Sequence, residues 1–193
     1  MKILCFGDSN TYGYDPRSCF GGQYPAECRW VDILANRLNC TVINAGENGR
    51  EIPRREMEFN RFTRLLGAYQ PVDLLIVMLG TNDLLQGNTT PAVAERMERF
   101  LEQIDLERSK ILLMTPPPMK LGGWVPEQVL VDRSRELSSL YRVLSERLGI
   151  RYTDAVDVPL AYDGVHMTEG GHIAFAEHLI SHLKLEDEHE QCQ

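Results

Sequence analysis

A chain of 193 residues is long enough for one globular domain with a continuous core, and 43% hydrophobic against 25% charged residues is the balance of such a domain. A formal net charge of −8 with no long basic run excludes nucleic acid as the main partner, because phosphate binding rests on clustered Lys and Arg. No run approaches the ~20 apolar residues of a membrane span, and the apolar stretch after Lys2 is too short for a secretory core. The expectation is therefore a cytoplasmic protein without a membrane partner. Cys5, Cys19, Cys28, Cys40 and Cys192 are odd in number and irregularly spaced, and read as reduced thiols. A Cys19–Cys28 disulfide is the alternative. No CxxC pair suggests zinc.

Strands and helices alternate along the chain. Residues 2–6 form a short apolar run closed by Gly7, a first buried strand. Trp30, Val31, Leu34, Ala35 and Leu38 then recur at helical spacing. Residues 41–44 are β-branched and closed by Ala45-Gly46, a second strand. Residues 52–69 are helical in character, with Pro53 near the start. Arg50, Arg54, Arg55, Arg61 and Arg64 interleave there with Glu51, Glu56 and Glu58, and read as a solvated helical face. Residues 73–79 hold an unbroken apolar run before Gly80, which suits a strand buried on both faces.

The second half repeats the scheme. Thr90 and Pro91 read as an N-cap and first helical position, with Val93, Met97, Phe100, Leu101 and Ile104 on one face. Residues 110–115 make a fourth strand, stopped by Pro116, Pro117 and Pro118. After a loop containing Gly122, Gly123 and Trp124, the long helix bearing Leu137, Leu140, Tyr141, Leu144 and Leu148 stops at Gly149. Residues 150–155 form a fifth strand, and a final helix spans about 168–185. One domain over 1–185 is expected, with an acidic, frayed tail over 186–193.

Such alternation implies a three-layer α/β domain with a mainly parallel sheet. Ligands bind in these sheets at the carboxyl ends of the strands. Ser9 follows the first strand, Gly46 to Gly49 the second, Gly80 to Asp83 the third, and Asp163 and His166 the fifth. All the suspicious polar clusters therefore share one edge.

Acyl transfer needs a nucleophile, a base and donors for the oxyanion. Taken alone, Ser9 is read as a helix cap. On this edge it becomes the candidate nucleophile. His166 is the candidate base, because Asp163, three residues upstream across a glycine turn, can reach its Nδ1–H and fix the tautomer. Asn82 is the candidate side-chain oxyanion donor, a neutral amide that adds no competing base. The Ser9 N–H and a glycine N–H of the second-strand loop complete the hole, and Gly46 and Gly49 both qualify. Asp83 reads as a loop-holding residue.

The segments Gly7-Asp8-Ser9-Asn10, Asn44 to Gly49, Gly80-Thr81-Asn82-Asp83 and Asp163-Gly164-Val165-His166 resemble, in order, the four blocks of the SGNH (GDSL-type) hydrolase superfamily. The resemblance implies a flavodoxin-like fold with a five-stranded parallel sheet of order 2-1-3-4-5. It implies Ser9, Asp163 and His166 as the triad, and Ser9, Gly49 and Asn82 as the oxyanion hole. It favours Gly49 over Gly46, since the donor is usually the glycine that closes the second block. Residues 4–14, Arg29-Trp30, residues 78–83 and the three prolines are similar to the arylesterase and acetyl-esterase branch, several of whose members are oligomeric. A homo-oligomer is thus left open. Tyr12 and Tyr14 stand where close relatives often carry tryptophan.

Gly-x-Ser-x-Gly is absent, with Thr11 at its second glycine, as are the dinucleotide and P-loop patterns, so no cofactor is expected. His178 and His182 have metal-pair spacing but fall opposite the apolar face of their helix, so no metal is expected either. The sequon at Asn88 is expected to stay unmodified. Without a lid or long apolar patch, the expected substrates are short-chain aryl, sugar or small-alcohol esters, small molecules that Tyr12, Tyr14 and Trp124, with Phe20 and Tyr24, are candidates to line. An acyltransferase and a non-catalytic ligand-binding module are the alternatives.

Overall fold

The computed structural model describes residues 1–18, 20–154 and 156–190. In chain order its elements are β1 (Lys2–Gly7), α1 (Ser9–Tyr12), α2 (Trp30–Leu38), β2 (Thr41–Gly46), α3 (Glu56–Tyr69), β3 (Leu74–Met78) and α4 (Thr81–Leu85). Then come α5 (Thr90–Glu102), β4 (Ile111–Met114), α6 (Gln128–Leu148), β5 (Arg151–Thr153) and α7 (Glu169–Glu190). The strands form one sheet in the order 2-1-3-4-5, and every neighbouring pair is parallel. This is the expected three-layer α/β, flavodoxin-like architecture.

Successive side chains of a strand point to opposite faces, and here each face has its own core. Leu4 and Phe6 of β1, Leu75 and Val77 of β3, and Ile111 and Leu113 of β4 pack with Phe62 of α3, Phe100 of α5 and Tyr141 of α6. Ile3, Cys5, Ile76, Met78, Leu112 and Met114 face the other way, onto Trp30 and Leu34 of α2 and Phe175 and Leu179 of α7. Burial on both sides explains why the central strands read as unbroken apolar runs. The edge strand β2 is only partly covered.

Several boundaries differ from expectation; β5 is shorter than the expected 150–155, spanning Arg151–Thr153, and residue 155 lies outside the described residues. Helix α3 begins at Glu56 rather than near residue 52, because Glu58 Oε2 turns back to accept the N–H groups of Arg54 and Arg55. Thr89, not Thr90, flanks the start of α5, which moves Pro91 one position into the helix. The final helix runs to Glu190, so five of the residues expected to fray are helical and residues 191–193 lie outside the described residues. Gly149 stops α6 in the left-handed conformation, at φ +65°. Cys5, Cys28 and Cys40 are free thiols, while Cys19 and Cys192, and with Cys19 the disulfide alternative, lie outside the described residues. Among the described residues no helix is long and apolar enough to cross a membrane.

Candidate active site

At the exit of β1 the chain turns sharply into α1. Asp8 caps that helix, its side chain accepting the Asn10 N–H at 2.9 Å. The capping task that a serine could fill is thus already taken, and Ser9 is the first helical residue. Its hydroxyl lies 3.0 Å from Nε2 of His166. Nδ1 of the same ring is 2.7 Å from Asp163 Oδ2. The other carboxylate oxygen, Oδ1, accepts the N–H groups of Val165 and His166 at 2.9 and 3.0 Å. Burial pushes the Asp163 carboxyl up, but the His166 ring and these two N–H groups outweigh it and hold the carboxyl below its ordinary range. A carboxylate that stays ionised keeps the proton on Nδ1 and leaves Nε2 free to accept one.

Asn10 ties this turn to α1. Its amide donates to Val165 O at 3.1 Å and accepts the Met167 N–H at 2.9 Å, while its own carbonyl accepts the Trp30 indole N–H at 2.9 Å. Leaving a buried donor or acceptor unpaired costs about 1–3 kcal/mol. The two loops therefore hold each other in register, 155 residues apart in the chain.

The candidate oxyanion side lies in the loops that follow β2 and β3. Gly46 and Gly49 do different work there. A Cβ on Gly46 would stand 2.1 Å from the backbone nitrogen of Tyr12, so glycine is what lets α1 pack on β2, and the Gly46 N–H already donates to Asn44 Oδ1 at 2.9 Å. Gly49 instead occupies the left-handed region at φ +73°. Among the described residues its N–H has no hydrogen-bond partner. Asn82 is the second residue of α4, and one of its two amide N–H groups donates to the carbonyl of Arg50 at 3.0 Å. Next to it, the fully buried Asp83 accepts the Ile52 N–H at 3.0 Å and pairs with Arg96. Arg96 also reaches Asn88 Oδ1 at 3.2 Å. The loops after β2 and β3 are thus zipped together by two adjacent links.

The sequence of residues 5–174 matches the GDSL-like Lipase/Acylhydrolase family model. The chain belongs to the GDSL-like lipase/acylhydrolase family. It is 27% identical over 157 residues to the mouse (Mus musculus) isoamyl acetate-hydrolyzing esterase 1 homolog, a match covering 75% of this chain and 58% of that protein. It is also 27% identical over 118 residues to an arylesterase of Vibrio mimicus, covering 58% of this chain and 53% of that one. The chain thus spans little more than half the length of these two curated relatives. Among solved structures, a carbohydrate acetylesterase family member from Sinorhizobium meliloti superimposes with a TM-score of 0.80 at 25% identity, over 95% of this chain and 97% of the other. The aryl esterase of M. smegmatis gives 0.74 at 26%, over 93% and 98%.

Within this GDSL-family chain the aromatic candidates separate. Tyr14 and Trp124 flank the His166 ring at centroid distances of 4.6 and 4.9 Å, and Trp124 is half exposed. Tyr12 contributes its carbonyl, which accepts from Gln23 and Asn44. Tyr24 is buried edge-on against His172 and is a packing residue, whereas Phe20 is fully exposed. His178 and His182, read as solvent-facing, are partly covered on α7. Among the described residues no group of three or more His, Cys, Asp or Glu is placed to hold a metal ion.

Arg50 is the correction that matters most. The sequence pattern groups it with a solvated helical face, yet it precedes α3 and its side chain is only 14% exposed. Its guanidinium turns inward to the carbonyl of Gly7. The signal that separates it from Arg54, Arg61 and Arg64 is its place directly after the glycine that closes the β2 loop. Asn10 gives no such signal, because its partners lie at the far end of the chain. Arg96 gives none either, because polar residues beside an apolar helical stripe read as solvent-exposed.

Proposed function

We propose that this chain hydrolyses short-chain carboxylic esters through an acyl-enzyme on Ser9. The observation that carries the reading is the continuous hydrogen-bonded line from Ser9 Oγ through His166 to the ionised Asp163, with both contacts at 3.0 Å or less. In this mechanism the Ser9 hydroxyl donates to Nε2 while Nδ1–H donates to Asp163. As Ser9 Oγ attacks the ester carbonyl, its proton passes to Nε2, and Asp163 stabilises the imidazolium. The oxyanion is held by the Ser9 and Gly49 N–H groups and by the second N–H of the Asn82 amide. His166 then returns the proton to the leaving alcohol. Water repeats the attack on the acyl-enzyme and restores Ser9.

Aryl, sugar and small-alcohol leaving groups with short acyl chains fit a site flanked by Tyr14 and Trp124. The names of the relatives point the same way, since they denote an isoamyl acetate-hydrolyzing esterase homolog, arylesterases and a carbohydrate acetylesterase. Labelling with a fluorophosphonate followed by peptide mapping tests the reading, and the adduct is expected on Ser9. Ser9→Ala should abolish both labelling and hydrolysis of p-nitrophenyl acetate. An adduct elsewhere, or wild-type turnover in Ser9→Ala, sinks the mechanism.

A further inference from the structure

We infer that Arg50 is a positioning residue of the oxyanion hole, a largely buried strut that fixes both the Gly49 turn and the Asn82 amide. The inference rests on the hydrolytic reading above. Three separate groups of this one residue are engaged. Its Nη1 donates to Gly7 O at 2.7 Å and to Ala45 O, so the guanidinium bridges the carboxyl ends of β1 and β2. Its Nη2 donates to Glu47 Oε2 at 2.7 Å, and the guanidinium lies over the Phe6 ring, 4.2 Å from the centroid. Glu47 is held from its other side by Arg61. The Arg50 N–H closes the turn around Gly49 by donating to Glu47 O at 3.2 Å, and the Arg50 carbonyl takes one Asn82 N–H at 3.0 Å.

The consequence follows from the chemistry of an amide. A side-chain NH₂ has two donors in a fixed plane. Committing one of them to a rigid carbonyl aims the other. A free Asn82 could rotate about its terminal torsion, which is broad and poorly restrained. Preorganised donors stabilise the oxyanion because they need no reorientation when charge develops. Arg50 touches neither the ester nor Ser9 in this arrangement. It acts through the carbonyl of its own main chain and through the two strand ends that its guanidinium pins.

Displacing such donors by about 1 Å costs up to ~10²-fold in rate. Arg50→Met keeps the stem over Phe6 but removes every guanidinium bond. Its kcat on p-nitrophenyl acetate should fall about 10–100-fold, with KM within about threefold of wild type, because the lost interaction belongs to the transition state. Labelling of Ser9 by the fluorophosphonate should slow with it. Arg50→Lys should recover part of the loss. A cavity of about 790 Å³ between the β2 loop and α3, lined by Gly49, Arg50, Phe62 and Leu65 among others, gives access to the strut. Added methylguanidinium should therefore speed Arg50→Ala and leave wild type unchanged.

The side-chain amide cross-peak of Asn82 in a ¹H–¹⁵N spectrum, assigned from its loss in Asn82→Asp, should move in Arg50→Met. Retention of wild-type kcat in Arg50→Met and Arg50→Ala overturns the inference. So does a loss of activity that tracks loss of Tm, with no rescue and an unmoved Asn82 peak. If the wild-type chain hydrolyses no ester and Ser9 takes no label, the hydrolytic reading has failed on its own. The Asn82 cross-peak then still decides whether Arg50 fixes the amide.

Discussion

On the hydrolytic reading proposed above, the two halves of the site are made in opposite ways. The base half, from Asp163 to His166, is a four-residue turn buried throughout, and its carboxylate is satisfied by partners only two or three residues away. The proposed oxyanion half would draw on Ser9, Gly49 and Asn82, and is held by bonds that span 32 residues from Asn82 to Arg50 and 43 from Arg50 to Gly7. Gly49 is exposed and β2 is a half-covered edge strand. One half is a local motif that needs only to be delivered to Ser9. The other exists only once β1, β2 and β3 are side by side. A site can thus combine a part that is locally encoded with a part that is a product of topology.

That contrast is broken most severely at Asp163. Asp163→Asn keeps the shape of the turn but presents an amide to Nδ1, which permits the wrong imidazole tautomer. By analogy with the corresponding change in a serine protease triad, kcat should fall about 10⁴-fold. Steady-state kinetics on p-nitrophenyl acetate check it, and a loss under about tenfold would remove Asp163 from the orienting role. The oxyanion half should prove softer. Asn82→Ala removes one of three donors and should cost about 10²–10³ in kcat, with KM little changed. Should Asn82→Ala match Asp163→Asn in severity, the distributed half would not be the more tolerant one.

The same contrast explains what the sequence could disclose. The Asp163–His166 pairing is legible because its spacing and its geometry are the same fact: three residues across a glycine turn. The central strands are legible because burial on both faces leaves an unbroken run such as residues 74–79. Arg50 is not legible in that way. Its neighbours in sequence are Glu and Arg at helical-looking intervals, and only the parallel pairing of β1 with β2 puts Gly7 O and Ala45 O within its reach. Asn10 fails to announce itself for the same reason, since Val165 and Met167 become its partners only when β1 stands in the middle of the sheet. The choice between Gly46 and Gly49, open on residue type alone, is narrowed in the structure by a single bond, the one that occupies the Gly46 N–H. Local pattern therefore locates the edge and the base, and tertiary contacts decide how the donors are held.

The smallest effect is expected where the two halves meet. Asp8 caps α1 while exposed to the fields of His166 and Arg50, which favour its charge, and of Asp83, which opposes it. Burial dominates and pushes its carboxyl up to about 6, despite the Asn10 N–H it accepts. An unfolded aspartate titrates near 3.9, so folding takes up a proton on this group between about pH 4 and 6. Its contribution therefore makes the protein less stable as pH rises through that window, and the penalty is complete above 6. Asparagine is an equally good N-cap and carries no charge to desolvate. Asp8→Asn should accordingly match wild type in Tm near pH 4 and exceed it by on the order of 5 °C at pH 8. Thermal unfolding of both proteins across the range isolates the Asp8 contribution, because every other ionisable group is common to the two. A difference that is flat with pH would mean that Asp8 stays ionised in the fold, held by Arg50 and His166 more firmly than burial opposes it. The oxyanion strut and the base would then be electrostatically joined through the residue between them, and the two halves would be less independent than their construction implies.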